Sequence, residues 1–391
     1  MRIAVFGGSF NPPHKGHLNS ALAALRTLRP DRFLVIPDYL PPHKEMAEGS
    51  PTPEERLELC RLNFSAVSGA EISDLEIRRG GKSYTADTLR SLHAQYPDAE
   101  LVLLLGTDML LTLDTWYDAE YILRNSTVAP FQRAPEELDA IRKKALALHD
   151  RFGTKMMLIG SQPFEASSTQ IRAALAQRGG REYLTDEVYS YIIRNRLYGA
   201  RPDFDWLREK SYAMLKPKRI PHVRGCEAEA RRLAGRWGAD VEQAAEAAIL
   251  HDCTKKEPPE VQLALCEKYG ITPDEVERRS EKLLHAKTGA AIAAAEFGAD
   301  EAVVSAICWH TTGRENMSLL EKIIYMADYI EPTRDFPGVD TLRKLAYQDL
   351  DAAMRLGLEM SMQDIRAYGI EPHGATLRAL NYYQDRKKSS Q

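Results

Sequence analysis

Cysteine is scarce in this chain, and the five thiols at positions 60, 226, 253, 266 and 308 form no CxxC pair. That spacing argues against a thiolate zinc site or a disulfide framework and points to a reduced, cytoplasmic setting. Long apolar runs are missing as well. No stretch approaches the ~20 residues that span a bilayer, so no membrane partner is expected. The first apolar run leads within a few residues into Gly7-Gly8, which is not the pattern of a secretory leader. Neither half has a basic excess: residues 1–200 carry 24 Lys+Arg against 25 Asp+Glu, and residues 201–391 carry 28 against 31. A nucleic-acid partner is therefore not expected. Partners should instead be small and phosphorylated, held by local basic groups. A Walker loop is excluded, because no GxxxxGK[ST] string occurs.

What is present is a chain of 391 residues, 44% hydrophobic and 28% charged, a globular composition long enough for two domains. The first half is organised around residues 2–17, RIAVFGGSFNPPHKGH. Residues 2–6 form a short, mostly apolar run with β-branched members and predict a buried strand. Gly7 and Gly8 are expected to turn the backbone sharply and bring it close to a ligand. Pro12 and Pro13 stiffen the loop, and a helix is expected over 17–28. A strand, a Gly-rich turn and a helix N-terminus make a phosphate site from backbone N–H groups and the helix dipole. His14 and His17, three residues apart, can reach one phosphate from the same helical face.

Residues 32–37 read as a second strand, which makes a βαβ unit and hence a parallel sheet. The following YLPPHK string puts His43 and Lys44 at a strand's C-terminal edge, where ligands gather. A helix is expected over 53–66, and polar–apolar alternation predicts a half-buried or edge strand over 71–77. Thr85 or Asp87 is a fair cap for a helix reaching Tyr96. The unbroken LVLLL of 101–105 suits a central parallel strand that ends at Gly106-Thr107-Asp108. Beyond it, Trp116 offers either a face for a flat ring or an ordinary core side chain. Further strands are expected over 126–131 and 155–159. Ser167, Ser168 and Thr169, with Arg172 one turn in, open a second helix able to bind phosphate. A closing helix is expected over 188–198.

The GGSFNPPHKGH string resembles the HxGH signature of the nucleotidylyltransferase superfamily. Together with PPHK, SYTADTL, the TW segment and SSTQIR, it makes residues 1–198 similar to the nicotinate-nucleotide adenylyltransferases. Two departures stand out: Ala166 occupies a position where that family has Ile, and FQRAP replaces its RPG. The resemblance implies an α/β, Rossmann-like domain over 1–200. In it Gly7, Gly8, Ser9, Phe10, His14, His17, Gly106, Asp108, Ser168, Thr169 and Arg172 bind ATP. His43, Lys44, Tyr84, Thr85 and Trp116 hold the mononucleotide. The phosphate of nicotinate mononucleotide would attack the α-phosphorus of ATP in line, with Mg²⁺ bridging phosphates and His14, His17, Lys44 and Arg172 stabilising charge. No side-chain nucleophile or general base is needed, because the attacking phosphate is already ionised. Phosphopantetheine adenylylation and a nicotinamide mononucleotide substrate stand as alternatives.

Gly199-Ala200-Arg201-Pro202 punctuates the chain and is taken as the domain boundary. Beyond it, alanine-rich amphipathic segments predict an all-α domain over 201–391, with helices at 227–237, 241–250, 259–269, 286–297, 302–309 and 319–329. His222, His251, Asp252, His285, His310 and Asp328 fall at or near predicted helix ends. Imidazole plus carboxylate suits borderline divalent metals, and six ligands are enough for two ions sharing a carboxylate bridge. A His-Asp pair closing an apolar helix is costly unless a metal or a hydrogen bond satisfies it. His93, His149 and His373 lie outside this set and are expected at the surface.

The H…HD…H…H…D order is the signature of the HD-domain phosphohydrolase superfamily. LHDCTK, LLHAKTGA and ICWHTTGRENMSLLEKIIYMADYIEPTR resemble the YqeK-like symmetrical bis(5′-nucleosyl)-tetraphosphatases, from about 218 to 383, with Cys253 where Ile or Val is usual. The resemblance implies two divalent ions, iron in that family, and metal-assisted hydrolysis of diadenosine tetraphosphate to two ADP. Lys255, Thr311 and Arg334 would contact substrate phosphate, and Asp252 and Lys255 would act in catalysis. A regulatory module that senses adenine nucleotides and a phosphohydrolase of other nucleotides are the rival readings, and a homo-oligomer remains open.

Overall fold

Short apolar runs alternating with amphipathic segments build the first half into a layered α/β unit, whereas the second half has only the helical periodicity. The computed structural model describes residues 1–42, 45–132, 136–164 and 166–389, and the chain divides into two units, Met1–Arg201 and Pro202–Gln391.

In the first unit the strands are β1 (Arg2–Gly8), β2 (Arg32–Pro37), β3 (Ala70–Ile72), β4 (Glu100–Gly106), β5 (Thr127–Gln132), β6 (Lys155–Met156) and β7 (Ile159–Gly160). They form one parallel sheet in the order β3-β2-β1-β4-β5-β6, with β7 also on β5. Its helices are α1 (Lys15–Leu28), α2 (Pro53–Phe64), α3 (Leu75–Arg79), α4 (Thr85–Gln95), α5 (Thr107–Thr112), α6 (Ala119–Asn125), α7 (Glu137–Phe152), α8 (Ser168–Leu175) and α9 (Asp186–Arg194). Successive strand residues point to opposite faces, so the sheet carries two cores. Ile3, Val5, Leu101, Leu103 and Leu105 meet α4, α6 and α7 on one face. Ala4, Phe6, Val102 and Leu104 meet α1 and α2 on the other. From β1 the chain moves out to β2 and then returns to β4 on the opposite side, so the strand order reverses between β1 and β4. That reversal opens a crevice at the strands' C-terminal ends.

Several local expectations are corrected. Gly7 and Gly8 stay in β1, and the turn falls at Phe10, whose φ is 43°. Helix α1 begins at Lys15 rather than at residue 17, with His14 as its N-cap. The strand expected over 71–77 is only Ala70–Ile72. Ser73 Oγ then accepts the Leu75 N–H at 3.3 Å, and α3 follows. Neither Thr85 nor Asp87 caps α4, because Tyr84 is the residue before the helix. The strand expected over 155–159 is split into β6 and β7. Helix α9 stops at Arg194, and left-handed conformations at Arg196 and Tyr198 prevent it from continuing to 198.

The second unit contains α10 (Phe204–Ala213), α11 (Ile220–Trp237), α12 (Val241–Leu250), α13 (Pro259–Lys268), α14 (Glu275–Arg278), α15 (Glu281–Phe297), α16 (Glu301–Trp309), α17 (Leu319–Ile330), α18 (Val339–Ala346), α19 (Leu350–Ala367) and α20 (Gly374–Ser389). Five of these, α10, α14, α18, α19 and α20, lie outside the segments expected to be helical, while α11 and α15 begin several residues earlier than expected. Alanine lets neighbouring helices approach closely, and α12, buried through Ala244, Ala245, Ala247 and Ala248, sits among α11, α16 and α17. Among the described residues this unit has no strand, and among those of the whole chain no helix is long and apolar enough to cross a membrane.

Candidate active sites

The crevice of the first unit is shaped by the ends of β1 and β4. Thr107 Oγ1 donates to the Phe131 carbonyl at 3.0 Å and pins the end of β4 to β5. Beyond β1, Arg56 of α2 is buried and donates to the carbonyls of Ser9 (2.9 Å), Asp38 (2.7 Å) and Tyr39 (3.0 Å) and to Asp38 Oδ1 (2.7 Å). One guanidinium therefore holds the loops after both β1 and β2. The His14 N–H donates to His17 Nδ1 at 3.2 Å, so neutral His17 carries its proton on Nε2, where it can donate to an oxyanion. The two imidazoles lie 3.8 Å apart, and Phe164 stacks on His14 at 4.8 Å with an interplanar angle of 4°. Gly16 makes this packing possible: a Cβ there would stand 2.6 Å from Phe164 and 2.9 Å from His14 Nδ1.

Two cavities share the strand ends. One, of about 390 Å³, is lined by His14, His17, Gly106, Asp108 and Ser168. The other, of about 220 Å³, is lined by Tyr84, Thr85, Trp116, Tyr117, Glu76 and Asp38. Gly7, Gly8, Ser9, Leu105 and Met109 border both. Helix α8 joins this assembly through Ser168 Oγ, which donates to the Pro12 carbonyl at 3.2 Å, and through Arg172, which donates to the Asn11 carbonyl at 2.7 Å. Burial raises the pKa of Glu76 against hydrogen bonds from Thr88 and Ser83.

The second unit gathers a buried acid–imidazole cluster. His222 lies in the first turn of α11, His251 and Asp252 directly follow α12, and His285 is near the start of α15. His310 follows α16, and Asp328 lies in the last turn of α17. Asp252 stands between two groups. Its Oδ1 is 3.1 Å from His285 Nε2 and 3.8 Å from His310 Nε2. Its Oδ2 is 3.4 Å from His251 Nε2 and 3.8 Å from His222 Nε2. Asp328 Oδ1 lies 3.0 Å from His222 Nε2.

The donor set fits divalent cations. Nδ1 of His222 faces Glu331 at 2.9 Å, that of His251 the Ala248 carbonyl at 2.7 Å, and that of His310 the Ile307 carbonyl at 2.6 Å. Each partner is an acceptor, so in the neutral ring each Nδ1 carries the proton and each Nε2 presents a lone pair. The Nε2 atoms of the cluster nevertheless crowd together, His222 and His251 at 3.4 Å and His285 and His310 at 3.2 Å, and Nδ1 of His285 is buried with no hydrogen-bond partner among the described residues. Burial lowers the pKa of His285 to about 4 and that of His310 below its usual value, which keeps both neutral. Burial also disfavours a charged His251, yet Asp252 and Asp328 raise its pKa overall. The same negative surroundings favour a metal cation. Cys226 Sγ lies 3.3 Å from His222 Nε2, but burial and then the nearby carboxylates push its thiol well up, so it stays neutral.

Comparison with known proteins agrees with both units. Residues 5–174 match the cytidylyltransferase-like family, and residues 219–333 match the HD domain. The probable nicotinate-nucleotide adenylyltransferase of Gloeobacter violaceus is 38% identical over 200 residues, 50% of this chain and 96% of the relative. Its counterpart in Gemmatimonas aurantiaca is 35% identical, covering 52% of this chain and 94% of the relative. The chain belongs to the nicotinate-nucleotide adenylyltransferase family. Its second half carries the HD domain. A solved structure of a predicted HD superfamily hydrolase involved in NAD metabolism, from Clostridium acetobutylicum, is 40% identical, covering 48% of this chain and all (100%) of its own, with a TM-score of 0.46.

Of the residues singled out in the adenylyltransferase half, Gly7, Gly8, Ser9, Phe10, His14, His17, Gly106, Asp108 and Ser168 border the larger cavity, and Tyr84, Thr85 and Trp116 the smaller. Thr169 and Arg172 do not line either, and Arg172 is committed to Asn11 and to Thr169 Oγ1 at 3.2 Å. His43 and Lys44 lie outside the described residues. In the HD half, Lys255 donates to Asp252 Oδ1 at 3.0 Å, and Arg334 donates to Asp328 Oδ1 at 2.6 Å. Thr311 Oγ1 is buried with no hydrogen-bond partner among the described residues.

Sequence reasoning overlooked Arg219, which donates to Asp252 Oδ2 at 2.6 Å, and Glu331, Arg56 and Phe164. Arg219 stands three residues before His222 and Glu331 three after Asp328, a helical spacing that could have flagged both. Nothing in the local sequence marks Phe164. His373, expected at the surface, is instead mostly buried, with Nε2 2.8 Å from Asp274 and 3.6 Å from Glu277. His149 is exposed, and His93 is half-buried with Nδ1 3.0 Å from the Tyr121 hydroxyl.

Proposed function

We propose that the first unit transfers AMP from ATP to nicotinate mononucleotide, giving deamido-NAD and pyrophosphate. The observation that carries this reading is the pair of cavities meeting at Gly7-Gly8-Ser9. The larger one takes ATP against His14, His17 and the N-terminal end of α8. The smaller one takes the mononucleotide among Tyr84, Trp116 and Tyr117, whose aromatic faces suit a flat pyridine ring better than an aliphatic pantetheine arm. The acceptor phosphate then attacks the α-phosphorus as the bond to pyrophosphate breaks. His17 donates from Nε2 to the charge that develops, and Lys44 and Arg172 join it, Arg172 after exchanging Asn11 for phosphate. Mg²⁺ accompanies the ATP phosphates. A panel of nicotinate mononucleotide, nicotinamide mononucleotide and phosphopantetheine tests the assignment. Adenylylation of phosphopantetheine alone would sink it.

The second unit is a metal-dependent phosphohydrolase on this reading, and diadenosine tetraphosphate, cut to two ADP, is the substrate. His222, His251, Asp252, His285, His310 and Asp328 would hold two divalent ions, iron by family resemblance. When bound, such ions supply Lewis acidity and lower the pKa of water. The chain's own contribution is orientation: Arg219 and Lys255 fix the two oxygens of Asp252, and Arg334 fixes Asp328. The test is incubation of the Fe²⁺-loaded protein with diadenosine tetraphosphate beside Asp252→Ala. Two ADP, lost in the variant, supports the reading. ATP plus AMP would overturn the site of cleavage, and metal binding with no turnover of any nucleotide would favour a sensor.

A further inference from the structure

A cavity of about 340 Å³ in the second unit is lined by Leu215, Lys216, Lys218, Arg219, Lys255 and Lys256. Apart from Leu215 its lining is entirely cationic, in a half that carries 28 Lys+Arg against 31 Asp+Glu. Two inner cations are neutralised: Arg219 and Lys255 each donate to one oxygen of Asp252. The outer three are not. Lys256 donates to the Ala213 carbonyl at 3.1 Å, and Lys216 and Lys218 have no carboxylate partner among the described residues. Ordinary protein surfaces intersperse charges of both signs, because like charges held close together repel. Here two separate chain segments bring cations together. One is the Pro217–Arg219 turn leading into α11, and the other is the turn after Asp252. Each segment also supplies a member of the acid–imidazole cluster, His222 in one case and Asp252 in the other. The basic lining therefore runs outward from the cluster without a break.

From this geometry we propose that the cavity is a subsite for the phosphates beyond the bond being cleaved, so that this unit selects linear chains of three or more phosphates. The proposal rests on the phosphohydrolase reading of the adjoining cluster and deepens it. A chain with one phosphoanhydride at the cluster lays its following phosphates against Lys216, Lys218 and Lys256, where point charges suit an extended anion without reading its ends. Mono- and diphosphates leave those lysines unmet. The same chemistry is offered by a nucleotide-capped chain and by inorganic polyphosphate.

The test uses the full chain with its metal, comparing wild type with Lys216→Gln/Lys218→Gln. A control, Lys282→Gln/Lys344→Gln, removes the same charge at positions that do not line the cavity. For diadenosine tetraphosphate, KM should rise about tenfold in the first variant and not in the control, with metal content as in wild type. The difference should shrink as salt rises. Equal KM values in all three proteins would overturn the proposal. Binding of inorganic tripolyphosphate, added as its magnesium complex to spare the bound metal, is measured in parallel. If no dinucleotide is cleaved, the hydrolase reading falls while the subsite is still decided. Tripolyphosphate binding weakened only in Lys216→Gln/Lys218→Gln upholds it, and absent or equal binding refutes it. Tight tripolyphosphate binding with a tetraphosphate KM unchanged by the variant would assign the cavity to inorganic chains and overturn its role toward nucleotides.

Discussion

Nδ1 of His222 lies 2.9 Å from Oε1 of Glu331, and that contact decides which ring nitrogen faces the acid–imidazole cluster. Glu331 is itself held by the Thr333 N–H, which donates to Oε2 at 2.7 Å, and it reaches α11 over Gly225, where a Cβ would stand 2.3 Å from Oε2. Glu331→Ala should weaken metal affinity by about 10- to 100-fold, and Glu331→Gln by less, since the amide oxygen can still accept from Nδ1. Gly225→Ala should act in the same direction by displacing the carboxylate. Metal retained after dialysis against graded chelator checks all three. Wild-type retention in Glu331→Ala would show that His222 needs no such anchor.

Gly16 is the counterpart in the first unit. Gly16→Ala should reduce adenylyl transfer about 100-fold or more through displacement of His14, while helical content stays near wild type. Adding Phe164→Ala removes the ring contact and should restore part of the lost rate. Steady-state kinetics of the single and double variants measure it.

Arg56→Met should lower stability by about 3–5 kcal/mol in urea unfolding, since Asp38 loses a buried guanidinium and three carbonyls lose a donor. Arg56→Lys keeps the charge but not the fork and should fall in between. KM for both nucleotides should rise with it, because Ser9 and Asp38 border the cavities.

Glu321 provides the pH dependence. Burial opposes its charge, but hydrogen bonds from Arg314 and Ser305 and from the Ser318 N–H it caps hold its pKa below the usual 4.5. A carboxyl depressed in the folded state contributes stability that is complete above the unfolded pKa and is lost as pH falls through the folded one. Glu321→Gln should therefore lower Tm at pH 7, by about 1–2 kcal/mol of stability. The gap from wild type should close as pH drops below 4.5. A gap constant from pH 7 to 3 would refute this.

Much of the α/β unit was readable because its signals are local. LVLLL can be a strand buried on both faces with little other option, and it became β4 at the centre of the sheet. Residues 71–77 misled because alternation over so few residues also fits a short helix, and a Ser73 hydrogen bond decided between them. In the second half α18 and α19 were legible in principle, because their buried residues Val339, Leu342 and Ala346, and Met354 and Leu358, are spaced for helices.

By itself the sequence determined which groups could do chemistry: HxGH at the entry to a helix, and histidines and aspartates in HD order. Backbone propensity and side-chain identity are enough for that. Only the tertiary structure decided how those groups are presented. Glu331 fixes the His222 tautomer from across a helix pair, Phe164 orients His14 from 150 residues away, and lysines from two turns share one cavity. Each of these depends on packing between elements distant in the chain, where no local periodicity records the partner.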